Sequence, residues 1–213
     1  MSQTKNNVTS VEDITSILME ELKHLQSLKT NINIDESNIF LLVGDGDIKY
    51  PHVCSSVDGQ SEPACKLTEP KDLPQDIQDL YLIDPGLANI YSTQSTLKVG
   101  VQACAYSRYG KSGTVTVSGM SAMKFNTTRP STPNSQHNFG KAFDVKLQGK
   151  MKSNGSNYDR AACAYLCLYC VEAGASKVFF SDQDVVDAVN KVASRKICQN
   201  IPNHENHIHM DCR

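Results

Sequence analysis

The 213-residue chain contains no apolar run approaching the roughly 20 residues that span a bilayer, so no helical membrane span is expected. It also lacks a basic block. Its 21 Lys and Arg are set against 23 Asp and Glu, a net charge of −2, and nothing in their distribution recommends nucleic acid as a partner. Internal repeats and low-complexity segments are absent. The opening residues are polar and then amphipathic, unlike the basic-then-apolar order of a secretory leader. Localisation is left open by this. Release by lysis, carriage on a particle or an unconventional route is the expectation for any exit from a cell. The chain is long enough for one domain with a real core and some peripheral elaboration.

Cysteine is the residue present in excess, at eight. An even count permits disulfides, but eight cysteines allow 105 full pairings. Cys54 and Cys65 bracket a polar loop as a local staple would, and Cys198 and Cys212 flank a histidine-rich segment that a bridge would brace. Cys163, Cys167 and Cys170 fall on one face of an expected helix. That spacing allows a second metal site, but core packing as small hydrophobes is favoured, with one bridge to Cys104 left open.

Val11, Ile14, Leu18, Leu22, Leu25 and Leu28 recur at three- and four-residue steps, which predicts an amphipathic helix over 11–29 capped by Ser10. Its narrow stripe suits either self-association or particle attachment, or a return onto the chain's own core. A strand is expected at Asn38–Val43 and a long Gly-, Pro- and Ser-rich loop over 44–74. Residues 76–91 read as helix and then a turn at Asp84-Pro85-Gly86. Strands are expected at Leu97–Tyr106 and Thr114–Ser118, joined by a hairpin-like turn through Tyr109–Gly113, and at Ala142–Leu147, Lys177–Phe180 and Asn206–Asp211. Helices are expected over 158–173 and 182–194, the latter capped by Ser181. Short strands interrupted by helices predict an α+β fold, a small antiparallel sheet flanked by helices. Three sequons, at Asn7, Asn126 and Asn154, are read as unmodified.

Four of the six histidines fall in two segments. Ser135-Gln136-His137-Asn138-Phe139-Gly140-Lys141-Ala142-Phe143-Asp144 is the first. The second is His204-Glu205-Asn206-His207-Ile208-His209. Residues two apart on a strand share a face, so His207 and His209 form either a ligand pair or a ligand beside a proton-handling group. His137, Asp144 and His209 make a three-ligand set of the kind that catalytic zinc uses, with a fourth position open to water. Manganese, cobalt or nickel also accepts these donors. His24 and His52 read as ordinary structural or surface histidines.

The pattern SxHxxGxAxD followed by HxH resembles the superfamily of D-Ala-D-Ala carboxypeptidases, lysostaphin-type endopeptidases and the Hedgehog signalling domain. The resemblance implies zinc held by His137, Asp144 and His209. The spacing His204-x-x-His207-x-His209 also resembles penicillin-insensitive murein endopeptidases and extensin-like C-terminal domains. It covers roughly residues 95–213, leaving 1–94 as an N-terminal helix with a loop-rich extension. One departure stands out. Carboxypeptidase-branch members carry an acidic base three residues before the last ligand, and this chain has Asn206 there. His207 first, His204 next and Glu205 as a neighbour are the substitutes for proton handling. Ser135 is the expected substrate contact, with Lys141 and Arg129 as weaker candidates for a substrate carboxylate. The resemblance implies zinc-dependent amide hydrolysis in peptidoglycan stem peptides or cross-links. A non-catalytic zinc module with a structural or partner-binding role is the alternative. A thiol-rich structural protein of a particle is a third.

Overall fold

The computed structural model describes residues 8–32, 34–42, 64–87, 90–120, 135–152 and 155–212. Arg129, His52, Cys54, the sequon asparagines and most of the expected 44–74 loop lie outside these residues.

The protein is an α+β fold with two sheets. The smaller is antiparallel, in the order β1 (Phe40–Leu42), β2 (Ala64–Leu67), β4 (Tyr91–Thr93). The larger has six strands: β3 (Tyr81–Ile83), β5 (Val115–Gly119), β6 (Ala142–Lys146), β9 (Ile208–Asp211), β7 (Lys177–Phe180) and β8 (Cys198–Asn200). It is mixed rather than purely antiparallel, because its two outer pairs, β3 with β5 and β7 with β8, run parallel. Each of those pairs needs a crossover, and a helix supplies it. Helix α3 (Gln94–Tyr109) leads into β5 and α5 (Gln183–Ala193) leads into β8.

The α3 segment corrects the expected strand and hairpin over 97–113. Its alternating Val, Ala and Gly imitate a strand, but the buried set Leu97, Gly100, Val101, Cys104 and Ala105 follows the helical period. Thr93 caps the helix by accepting from the Thr96 amide. Gly100 has a packing reason: a Cβ there would lie 2.5 Å from the Phe143 ring. Small residues that read as strand filler are the ones that let α3 lie close to β6.

Other boundaries shift for local reasons. Glu36–Ile39 is a helical turn, α2, so β1 starts at Phe40 rather than Asn38. The helix expected after residue 76 is a single 3₁₀ turn, Gln75–Ile77, followed by β3. The Asp84-Pro85-Gly86 turn is present, with the Gly86 amide donating to Asp84 Oδ1 at 2.9 Å. Helix α4 (Arg160–Glu172) lies inside the expected span. Asp182, not Ser181, caps α5, since its carboxylate reaches the amides of both Asp184 and Val185. Strand β9 begins at Ile208, two residues later than expected.

Helix α1 (Val11–Asn31) carries a capping box between Ser10 and Asp13. Its stripe is covered by the chain's own α3, α4 and α5, which answers the choice between a partner and its own core in favour of the core. Ile14, Leu18 and Leu25 are fully buried there, each contributing about 1.5–3 kcal/mol. Core packing is continuous from α1 through α3 to the large sheet, and residue 94, where the N-terminal extension was expected to end, is the first residue of α3.

The cysteines follow the core-packing expectation. Cys104, Cys163, Cys167, Cys170, Cys198 and Cys212 are buried free thiols, so neither a Cys198–Cys212 brace nor a bridge to Cys104 is formed. Burial pushes the Cys212 thiol up to about 12 and the α4 thiols higher still. Among the described residues no helix is long and apolar enough to cross a membrane.

Candidate metal centre

β6 and β9 are neighbours at the middle of the large sheet, and their register sets Asp144 directly opposite His209. Alternate residues on these strands divide the sheet into two faces. Phe143, Val145, Ile208 and Met210 are fully buried. Asp144 and His209 point the other way, with Phe179 of β7 beside His209 in register.

His137 comes to the same face from outside the sheet. It sits on a 3₁₀ turn, Gln136–Phe139, that ends because Gly140 adopts a left-handed conformation (φ 65°, ψ 22°). The chain then enters β6 at Ala142, only five residues after His137, and the turn folds the imidazole back over Asp144.

Three side chains converge. His137 Nε2 lies 3.2 Å from Asp144 Oδ2 and 3.1 Å from His209 Nδ1, and His209 Nδ1 lies 2.9 Å from Asp144 Oδ1. Tetrahedral ligation with bonds of about 2.0–2.1 Å puts neighbouring ligand atoms about 3.3 Å apart. This is the one group of three or more metal-ligating side chains found among the described residues.

The tautomers fit the same purpose. His137 Nδ1 bonds to the Met120 carbonyl, which can only accept, so the proton sits on Nδ1 and Nε2 turns a lone pair inward. His209 Nε2 donates to Asp211 Oδ1 at 2.8 Å, which leaves its Nδ1 lone pair facing inward. Outer partners of this type orient metal-binding imidazoles and raise their basicity. Asp144 Oδ1 is buried without a hydrogen bond. Two lone pairs and a carboxylate aimed at one point repel unless a cation or a proton sits among them.

In metal-free protein, protons do this work. Burial pushes His137 and His209 down, but the Asp144 carboxylate outweighs it for both, and His209, helped by Asp211, rises to about 9. Burial likewise opposes ionisation of Asp144, yet hydrogen bonds from the two imidazoles hold it below the usual carboxylate range.

Two residues outside the expected motifs shape the site. A β-bulge between Val117 and Gly119 sets Gly119 against Asp144, where a Cβ would fall 2.1 Å from Asp144 Oδ2. The next residue, Met120, supplies the carbonyl for His137. A lone glycine at the end of an alternating strand was the available signal.

His204 and His207 join the group. Their ring centroids are 4.7 Å apart, and His204 is 5.8 Å from His209. The loop before β9 curls to bring His204 in, through Asn203 in a left-handed conformation (φ 65°). Ser181 pins that loop, its hydroxyl donating to the Ile201 carbonyl at 2.5 Å and accepting from the His204 amide at 3.0 Å. Asn206 is exposed, and its Oδ1 accepts from His207 Nδ1 at 2.7 Å. Burial pushes His207 below its ordinary value, with the neighbouring imidazoles adding to that and Asp144 opposing it.

Glu205 is exposed and forms no hydrogen bond or ion pair with a described residue, so it stands apart from the imidazole group. Ser135 occupies the N-cap of the His137 turn without making a side-chain cap bond. Lys141 follows Gly140 and is partly buried. Phe179, unremarked in the sequence, lies 5.3 Å from the His209 ring and 6.1 Å from His204, forming an aromatic wall beside both.

Comparison of the chain with protein-family models, with curated proteins and with solved structures finds no significant match.

Proposed function

We propose that this protein is a zinc-dependent hydrolase of peptide amide bonds, acting on peptidoglycan stem peptides or cross-links. The observation that carries the metal is the convergence of His137 Nε2, Asp144 and His209 Nδ1 at 2.9–3.2 Å, with both outer imidazole nitrogens already committed as donors. Bound there, zinc would supply Lewis acidity, polarising a carbonyl and lowering the pKa of a water towards about 7. The substrate class rests on the resemblance of the two motifs to cell-wall peptidases.

The chain's own residues divide the remaining work. Asn206 holds His207 by its Nδ1 proton, so His207 Nε2 is the free atom that takes a proton from water and delivers it to a leaving amine. His204 packs on that ring and orients it. The Ser135 hydroxyl, not spent on capping, is available to a substrate carboxylate or carbonyl. Phe179 shields one side of the site.

The test is hydrolysis of purified peptidoglycan by zinc-loaded protein, with products read by mass spectrometry and His209→Ala as control. Metal-dependent release of defined muropeptides is expected. One observation favours a second reading, a non-catalytic metal module: the position of the usual acidic base holds an exposed amide, Asn206. Stoichiometric zinc with no release from murein or other peptide substrates would decide for it.

A further inference from the structure

We propose that His204 and His207 form a second, weaker divalent-cation site beside the first, resting on the reading of His137, Asp144 and His209 as a metal centre. His204 Nδ1 lies 3.0 Å from the Pro202 carbonyl oxygen, and His207 Nδ1 lies 2.7 Å from Asn206 Oδ1. Both partners accept, so both Nδ1 atoms carry the proton. Each Nε2 therefore carries an unshared lone pair, and no described residue donates to either one.

The separation of the ring centres matches that of two imidazoles sharing one ion. Two imidazoles bound to the same tetrahedral ion through bonds of about 2.0–2.1 Å present centroids about 5 Å apart. Here they are 4.7 Å apart, tilted by 38°. Both side chains are partly exposed, so an ion from solvent can reach them. With two protein ligands against three, and no carboxylate, this site is the weaker of the two. It favours nitrogen-seeking ions such as zinc, nickel or copper over magnesium or calcium.

An ion here occupies His207 Nε2, the atom assigned to proton transfer. Excess metal therefore inhibits the hydrolysis that the first equivalent supports.

Titration calorimetry of metal-free protein with Zn²⁺, and with Co²⁺ followed by visible absorption, tests this. Wild type should show two classes, the second at least about 100-fold weaker, for want of the carboxylate and one imidazole. His204→Ala and His207→Ala should each remove the weak class and keep the tight one, while His209→Ala should do the reverse. Turnover should fall at least tenfold as the weak class fills in wild type. A single equivalent at every metal concentration would overturn the second site and leave the first standing. So would a weak class that survives both His204→Ala and His207→Ala. A weak class removed by His204→Ala, in protein with no tight class, would keep the second site and overturn the first.

Discussion

Two buried carboxylates in this protein look alike by burial and differ in what surrounds them. Glu21 on α1 is fully buried, Asp144 on β6 nearly so, and each keeps one oxygen without a hydrogen bond. Around Glu21 the neighbours are donors. Tyr169 donates its hydroxyl at 2.7 Å, Lys111 brings its ammonium within 3.4 Å, and His24 lies 3.3 Å away. Lys111 thus supplies the compensating charge, and the cluster ties α1 to α4 and to the turn after α3. Around Asp144 the neighbours are imidazoles whose protons are already given to Met120 and Asp211. There the only compensating charge is a proton shared with the imidazoles, and the three side chains form a group that could hold a metal ion in its place. Burial marks both carboxylates as costly, and the direction of the neighbouring hydrogen bonds separates a fastening from a candidate binding site.

The two clusters should differ most when a side chain of the candidate triad is removed. Asp144→Ala or His137→Ala should abolish stoichiometric metal, a loss of more than about 100-fold in affinity, beyond the range of outer-partner changes. Elemental analysis after dialysis measures it, and full retention would refute the assignment. The Glu21 cluster should be indifferent to metal, so Tyr169→Phe should leave the affinity unchanged.

Next come the supports. Asp211→Asn removes the acceptor that fixes the His209 tautomer, and Gly119→Ala drives a methyl into the space of Asp144 Oδ2. Each should weaken metal binding by about 10–100-fold while the fold persists. Wild-type affinity in both, by competition with a chelating dye, would mean that the outer contacts do not orient the ligands.

The fastening is read as stability. Tyr169→Phe removes a hydrogen bond to a buried charge and should cost about 1.5–3 kcal/mol in urea unfolding. A change under about 0.5 kcal/mol would show that Lys111 alone satisfies Glu21.

Smallest is a change of slope with pH. A carboxyl held low in the folded state, as Asp144 is, contributes stability above its unfolded value of about 3.9 and loses it as pH falls through the folded value. A histidine raised to about 9, as His209 is, contributes fully below its unfolded value of about 6.5 and loses that as pH rises through about 9. Metal-free protein should therefore be most stable between about pH 4 and 6.5 and weaken towards 9. Bound metal must displace those protons, so saturating metal should reverse the trend above pH 6.5. Thermal midpoints at four pH values, with and without zinc, measure this. Parallel curves would rule out a shared site for proton and metal.

The candidate triad was legible because chemistry constrains it locally. A His and an Asp flanking a glycine turn, and two histidines one residue apart at a strand, are short-range patterns. The stripe of α1 and the span of β7 were legible for the same reason. The α3 segment was misread because alternation of small residues satisfies two periods at once, and contact with Phe143 chose between them. Strands β4 and β8, three residues each, are too short to carry a periodic signal.

Residue type and near-neighbour spacing alone were enough for the α+β class, and they singled out His137, Asp144 and His209 as the candidate metal-holding group. The tertiary structure alone decided the rest. It set Asp144 opposite His209 by strand register and brought the Met120 carbonyl and Gly119 in from β5. It curled His204 back through a loop pinned by Ser181, and it gave the α1 stripe to the chain's own helices. These are contacts between segments far apart in the chain, and residue spacing carries no record of the register or the packing that joins them.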